Sequence, residues 1–155
     1  MKKIQTTLLF LLKDKQILLA EKKRGFGVGK YNGIGGKLEL GETVTQAMIR
    51  ETQEEIIVTP THYKKCGEVQ FDQYIKGERT VICVHVFTAD DFTGEPQETE
   101  EMRPVWFDID QIPFAQMYPT DQIWLPIILE NRGYFEAAFK FDCENNLIDQ
   151  KVLIK

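Results

Sequence analysis

The 155-residue chain is poor in the side chains that staple or ligate small domains, with three cysteines (Cys66, Cys83, Cys143) and two histidines (His62, His85). No C-x-x-C pair occurs and neither histidine belongs to a Cys/His cluster in sequence, which argues against a structural zinc site and a disulfide framework and favours a reducing compartment. Long apolar runs are also missing. The run Leu8–Leu12 is shorter than the roughly 7–15 residues of a secretory h-region and the roughly 18 of a membrane span. No membrane partner and a cytoplasmic location are therefore expected. Positive charge is in deficit: 19 Lys and Arg against 24 Asp and Glu leave a formal net charge of −5. That disfavours nucleic acid as a partner but leaves room for a small anion held through a metal.

What the chain does have is core material. Hydrophobic residues make up 43%, including ten Phe, five Tyr and two Trp, so one domain over 1–155 is predicted. Runs at Ile4–Leu12 and Gln16–Lys23 read as a hairpin about Lys13-Asp14-Lys15, and Gly67–Tyr74 and Thr80–Ala89 as a second about Lys76-Gly77. Asp90–Glu101 reads as a polar loop, Arg103–Asp108 as a strand, and Tyr134–Phe141 with Leu147–Ile154 as a final hairpin. Helices are predicted over Thr43–Ile56 and from a Thr120 or Asp121 cap to about Asn131, with Pro126 expected to kink the second. Strands around two helices predict an α+β or mixed-sheet α/β/α sandwich.

The first helix carries carboxylates where folding gains nothing from them. Wound at about 100° per residue from Val44, the residues Met48, Ile49, Thr52 and Ile56 form an apolar face with it, while Gln46, Arg50 and Gln53 form the wet face. Glu51, Glu54 and Glu55 share one stripe at i, i+3 and i+4, beside the apolar edge. Like charges so placed repel, and their position near the helix C-terminus opposes the helix dipole. A cation is the natural remedy, and all-oxygen ligands select Mg²⁺, with Mn²⁺ as substitute. The plain alternative is a solvated acidic helix neutralised by Arg50 and Lys64 or Lys65.

Upstream lies a glycine-rich stretch, Gly25–Gly41, holding seven of the eleven glycines. It matches neither common phosphate-binding motif. Lys30 occupies the third glycine position of G-x-G-x-x-G, and Gly36-Lys37 lacks both the following Ser or Thr and the glycine five positions earlier. No G-x-S-x-G is present, so a serine nucleophile has no support.

Gly36, Glu42, Arg50, Glu51, Glu54 and Glu55 do fit another pattern, G-x5-E-x7-R-E-U-x-E-E-x-G-U, and on it the chain resembles the Nudix hydrolases. Two positions depart from it: Thr52 stands at the aliphatic site, and Ile57 replaces the glycine that ends the helix. Because Ile avoids φ > 0, a different helix end or C-cap is expected. Further segments resemble the branch of this family that acts on oxidised purine nucleoside triphosphates. They are Lys22–Gly27, Tyr31–Lys37, Val84–Phe87, Glu101–Phe107, Asp110–Phe114 and Met117–Asp121 with Trp124.

The resemblance implies a Mg²⁺-dependent conversion of a nucleoside triphosphate and water to a monophosphate and diphosphate, a sanitation reaction on purine deoxynucleotides that include 8-oxo-dGTP. It implies Glu51, Glu54, Glu55 and the Gly36 carbonyl as metal ligands, with Glu54, Glu55, Arg50 and Glu101 as the catalytic set. Glu101 is either a further ligand or a base. It implies Lys22 near the phosphates and a base pocket of Thr7, Phe26, Asn32, Phe71, Met102, Tyr118, Thr120, Asp121 and Trp124. Of these, Phe71 and Trp124 also read as core, Asp121 as a helix cap and Asn32 as a turn residue. The branch pairs a tryptophan with two adjacent aspartates where this chain has Tyr118, Thr120 and Asp121, so altered discrimination between purines is expected. Other nucleoside diphosphate derivatives are the alternative substrates, and a catalytically silent nucleotide-binding module is a further alternative. A monomer or a homodimer fits either case.

Overall fold

The computed structural model describes residues 1–155. Its strands and helices are β1 (Lys2–Lys13), β2 (Gln16–Lys22), β3 (Tyr31–Asn32), α1 (Val44–Ile56), β4 (Thr59–Ile75), β5 (Glu78–Thr93), β6 (Met102–Asp108), α2 (Asp121–Leu129), β7 (Phe135–Phe141) and β8 (Leu147–Ile154). All eight strands join one sheet in the order β3-β2-β1-β5-β4-β7-β8, with β6 also paired to β2. The β1–β5 and β4–β7 pairs are parallel and the others antiparallel. This is the mixed sheet that the sequence pattern predicts.

Side-chain alternation along the central strands splits the core into two layers. Leu8, Phe10, Ile17, Leu19, Val69 and Val86 pack with Trp124, Leu125 and Ile127 of α2. Leu9, Leu11, Leu18, Ala20 and Phe87 pack with Met48 and Ile56 of α1. The unbroken apolar run in β1 is thus that of a strand covered on both faces. The two helices lie on opposite sides of the sheet, completing the α/β/α sandwich.

Three tight turns carry the predicted hairpins, with left-handed residues at Asp14 and Lys15, at Lys76 and Gly77, and at Asn145. The second hairpin is longer than its sequence suggests. β5 continues to Thr93, and Thr59, Pro60, His62 and Tyr63 pair with Thr93, Phe92, Asp91 and Ala89 through bulges. Asp90–Thr93 is therefore strand rather than loop, with Asp90, Asp91 and Thr93 facing water and Phe92 packed on the α1 side of the core.

Both helix ends differ from expectation. In α1, Thr43 and Gln46 form a reciprocal capping box. At the other end Ile57 adopts φ 62° and ψ 39° and donates its N–H to Gln53 O. The glycine-type left-handed cap is thus kept by an isoleucine, at a conformational cost of about 1–2 kcal/mol. The loop of residues 94–99 holds it in place: Gln97 N–H donates to Ile56 O (3.0 Å) and the Thr99 hydroxyl to Glu55 O (2.9 Å). In α2, Thr120 occupies the cap position with helical backbone and no capping side-chain bond, and Asp121 is the first helical residue. Neither side chain caps the helix. It continues past Pro126 to Leu129, beyond which Asn131 takes φ 52°.

Candidate active site

The glycine-rich segment and α1 meet over the N-terminal half of β1. Thr7 N–H donates to Gly36 O (2.9 Å), and Leu9 and Ile34 exchange backbone bonds. This pins the Gly33–Gly36 backbone flat against β1, where Gly36 also faces Glu51. A β-carbon on Gly36 would sit 2.6–2.8 Å from the Glu51 carboxyl atoms, so only glycine permits the approach.

Arg50 organises the acids. Its Nε and Nη2 donate to the Glu42 carboxylate (2.5 and 2.9 Å), Nη1 to Glu51 (3.0 Å) and Glu54 (3.1 Å), and Nη2 to Lys37 O (3.1 Å). The side chain is about one-fifth exposed, so Arg50 does not belong to the wet face that the helical periodicity assigns it. Ion pairing to Glu42 and then Glu51 outweighs the burial of the guanidinium and raises its pKa further. The Glu42 carboxyl is held below its ordinary range, first by Arg50 and then by the backbone at Glu39.

Glu55 has no such partner. It is 3% exposed, and its Oε2 has no hydrogen-bond partner. Its pKa is raised to about 9, first by burial, then by Glu51 and then by Glu101, while Lys22 opposes the shift. Glu54 lies on the open side of the helix, more than half exposed and tied to Arg50. Glu101 pairs with Arg24 (3.2 Å) at the surface and contributes its charge to Glu55. Carboxylates with an orphaned buried oxygen, beside a backbone carbonyl and with neither sulfur nor imidazole, form a donor set that fits a hard divalent cation.

From Gly36 a cleft of about 900 Å³ runs toward α2. Its walls include all ten residues expected near substrate: Thr7, Lys22, Phe26, Asn32, Phe71, Met102, Tyr118, Thr120, Asp121 and Trp124. Along the cleft, three buried polar atoms lack hydrogen-bond partners: Thr7 Oγ1 on β1 beside Gly36, and Asp121 Oδ2 and Trp124 Nε1 on α2. Burial pushes the Asp121 carboxyl up to about 7, against the attraction of Lys30. Asn32 lies in β3, not in a turn, and its Oδ1 accepts from Gly33 N–H (2.8 Å), which leaves its amide N–H groups for other acceptors. Trp124 is core and wall at once. It stacks on Phe135 with ring centroids 5.7 Å apart while its indole N–H stays unpartnered.

Phe26, 78% exposed, stacks on Tyr118 at the rim (centroids 6.5 Å, 14° between planes), and Lys30 Nζ lies 5.5 Å from the Tyr118 ring centre. Sequence reading missed Lys30, which it treated only as a failed glycine position, and the C-terminal wall of Phe141, Asn145, Asn146 and Leu147. The hairpin turn at Asn145-Asn146 was visible in sequence, but its place over the cleft follows only from the parallel β4–β7 pairing.

A fold of this kind, with a carboxylate helix closing on a glycine loop, defines a Nudix hydrolase. The chain belongs to that family: the NUDIX domain model matches residues 2–126. Among its relatives is an oxidized purine nucleoside triphosphate hydrolase of Danio rerio, 43% identical over 146 residues, which are 94% of this chain and 92% of the relative. The protein of the same name from Mus musculus is 41% identical over 142 residues, covering 92% and 89% of the two chains. A solved structure of a MutT protein from Bacillus halodurans superposes with TM-score 0.83 at 21% identity, covering 96% of this chain and 97% of that one. The mixed sheet and the two flanking helices are thus those of a known fold.

Proposed function

We propose that this Nudix hydrolase cleaves free purine deoxynucleoside triphosphates, oxidised ones such as 8-oxo-dGTP included, to the monophosphate and diphosphate with Mg²⁺. The observation that carries this reading is the single cleft that joins the Gly36 end to the Asn32, Thr120 and Asp121 end. A nucleotide lying in it reaches the acids with its phosphates and the unpartnered polar atoms with its base. The names of the zebrafish and mouse relatives support the substrate class. Acting alone or as a homodimer on free nucleotide, an acidic protein needs no nucleic-acid surface.

Glu51, Glu54, Glu55 and the Gly36 carbonyl would hold the divalent ion, with Glu101 beside them as ligand or base. When bound, such an ion neutralises polyphosphate charge and lowers the pKa of coordinated water. Arg50 fixes the rotamers of Glu51 and Glu54 through the bonds described above. Lys22, whose charge already acts on Glu55, supplies a second cation for the phosphates. At the other end the Asn32 amide donates to an acceptor on the purine edge. Asp121, raised to about 7, accepts or donates there according to its proton. Tyr118 and Phe26 cover the base with apolar faces. Thr120 offers a hydroxyl where the purine branch has a second carboxylate, and a hydroxyl does not change charge near neutral pH.

A metal-dependent phosphate-release screen over nucleoside triphosphates and diphosphate conjugates, with Glu55→Gln as control, tests the reaction. Turnover of purine triphosphates that vanishes in the variant is expected; unchanged turnover in Glu55→Gln removes the catalytic assignment. Comparing kcat/KM for 8-oxo-dGTP, dGTP and 2-hydroxy-dATP tests the base pocket. A modest oxidised-over-normal preference that sharpens in Thr120→Asp is expected. A strong preference unchanged by Thr120→Asp would overturn the role given to residue 120.

A further inference from the structure

Outside the cleft, the centre of the sheet gathers a second set of ligating groups. Cys83 and His85 stand two residues apart on β5, so their side chains share one face. Glu68 of β4 is the cross-strand partner of His85, and Gln5 of β1 is the partner of Cys83. Cys83, His85 and Glu68 each offer one ligand atom, all within 4.8 Å of one another. His85 is 8% exposed. Its Nε2 lies 2.7 Å from Gln5 Oε1 and 3.8 Å from Cys83 Sγ. Its Nδ1 is 3.2 Å from Glu68 Oε1 yet out of line for a hydrogen bond, so that buried nitrogen has no donor or acceptor partner. None of these four residues lines the cleft.

We infer that Cys83, His85 and Glu68 form a binding site for a thiophilic divalent ion of the zinc class, with the Gln5 amide oxygen beside its fourth position. Tetrahedral zinc with Zn–S near 2.3 Å and Zn–N near 2.0–2.1 Å separates sulfur from nitrogen by about 3.6 Å, close to the spacing already present. Sulfur and imidazole donors select against Mg²⁺, so this site and the oxygen-lined cleft do not compete for the same ion. The spacing along the chain hid this group, because Glu68 and Gln5 reach it only through the β4–β5 and β1–β5 registers.

Binding forms the metal–sulfur bond and releases the Cys83 thiol proton to solvent. Lys65 donates to Glu68 Oε1 (2.7 Å), which leaves the other carboxylate oxygen for the ion.

Cobalt(II), titrated into the full-length protein with excess Mg²⁺ and a phosphine reductant, reports directly on the sulfur. A thiolate-to-cobalt charge-transfer band in the near ultraviolet that saturates at one equivalent and is erased by zinc is expected. Cys83→Ser, nearly isosteric, is expected to abolish the band, while Cys143→Ser leaves it intact. Glu68→Gln is expected to weaken binding by about 10–100-fold, with circular dichroism confirming that each variant is folded. No band in the wild type overturns the site, as does a band that survives Cys83→Ser and disappears in Cys143→Ser.

Discussion

The acid cluster beside Gly36 and the α2 end of the cleft solve opposite problems. At the α1 end, charge is concentrated and one residue, Arg50, ties Glu42, Glu51 and Glu54 together, leaving Glu55 as the unpaired group. At the α2 end, charge is sparse. Asp121 and Trp124 hold polar atoms inside apolar walls with nothing to bond them. Unmade bonds at both ends cost folding energy, and one elongated ligand, anionic at one end and polar-aromatic at the other, relieves both. In the proposed reading, chemistry and selectivity are built separately, the first on a rigid local network and the second on isolated buried groups.

Substitutions break that comparison in graded steps. The largest effect belongs to Glu55→Gln, which keeps the side chain's volume and removes its charge. A fall in kcat of about 1000-fold, on the order of 4 kcal/mol, with nucleotide still bound, is expected from steady-state kinetics and calorimetric titration. Next is Gly36→Ala. The added carbon meets the carboxylate of Glu51, the proposed metal ligand, and displacing it by about 1 Å is expected to cost roughly 100-fold in rate. Loss in kcat with near-normal thermal stability is the expected signature.

Asp121→Asn touches only the other end. Hydrolysis persists, and the ratio of kcat/KM between oxidised and normal purines shifts by about tenfold, the worth of one hydrogen bond of about 1.4 kcal/mol. The same variant makes a pH prediction with a definite sign. The folded-state pKa of Asp121 is raised from 3.8 to about 7, so its contribution to stability is fully present below pH 4 and is lost as pH rises through 7. Wild type is therefore expected to lose stability relative to Asp121→Asn between about pH 4 and 7, by on the order of a few kcal/mol, in paired melting curves. The raised pKa of Glu55 is common to both proteins and cancels in that difference. The smallest effect is expected from Ile57→Gly. Relief of the left-handed isoleucine, offset by the entropy of glycine, gives about 0.5–1 kcal/mol of stabilisation, read as a small rise in Tm.

The same division explains what was legible in the sequence. The α1 end is encoded within residues 36–55, where helical spacing puts the glutamates on one stripe and the pattern from Gly36 to Glu55 names their loop. The α2 end draws on residues 7, 32, 71, 102, 118, 120, 121 and 124, brought together by strand pairing with no local pattern. Only resemblance to a family located them. The fold class followed from alternation and turn signals. The αL conformation of Ile57 did not, because a tertiary clamp from Gln97 and Thr99 overrode its intrinsic preference. Nor did the burial of Arg50, because helical periodicity registers which face a residue takes and not which acids await it.

A crystal structure of the protein with magnesium and a non-hydrolysable purine triphosphate tests the account most directly. It predicts an ion held among Glu51, Glu54, Glu55 and the Gly36 carbonyl beside the phosphates, with the base edge on Asn32 and Asp121. An ion-free cluster whose carboxylates turn to solvent, or a nucleotide seated elsewhere than this cleft, would contradict it.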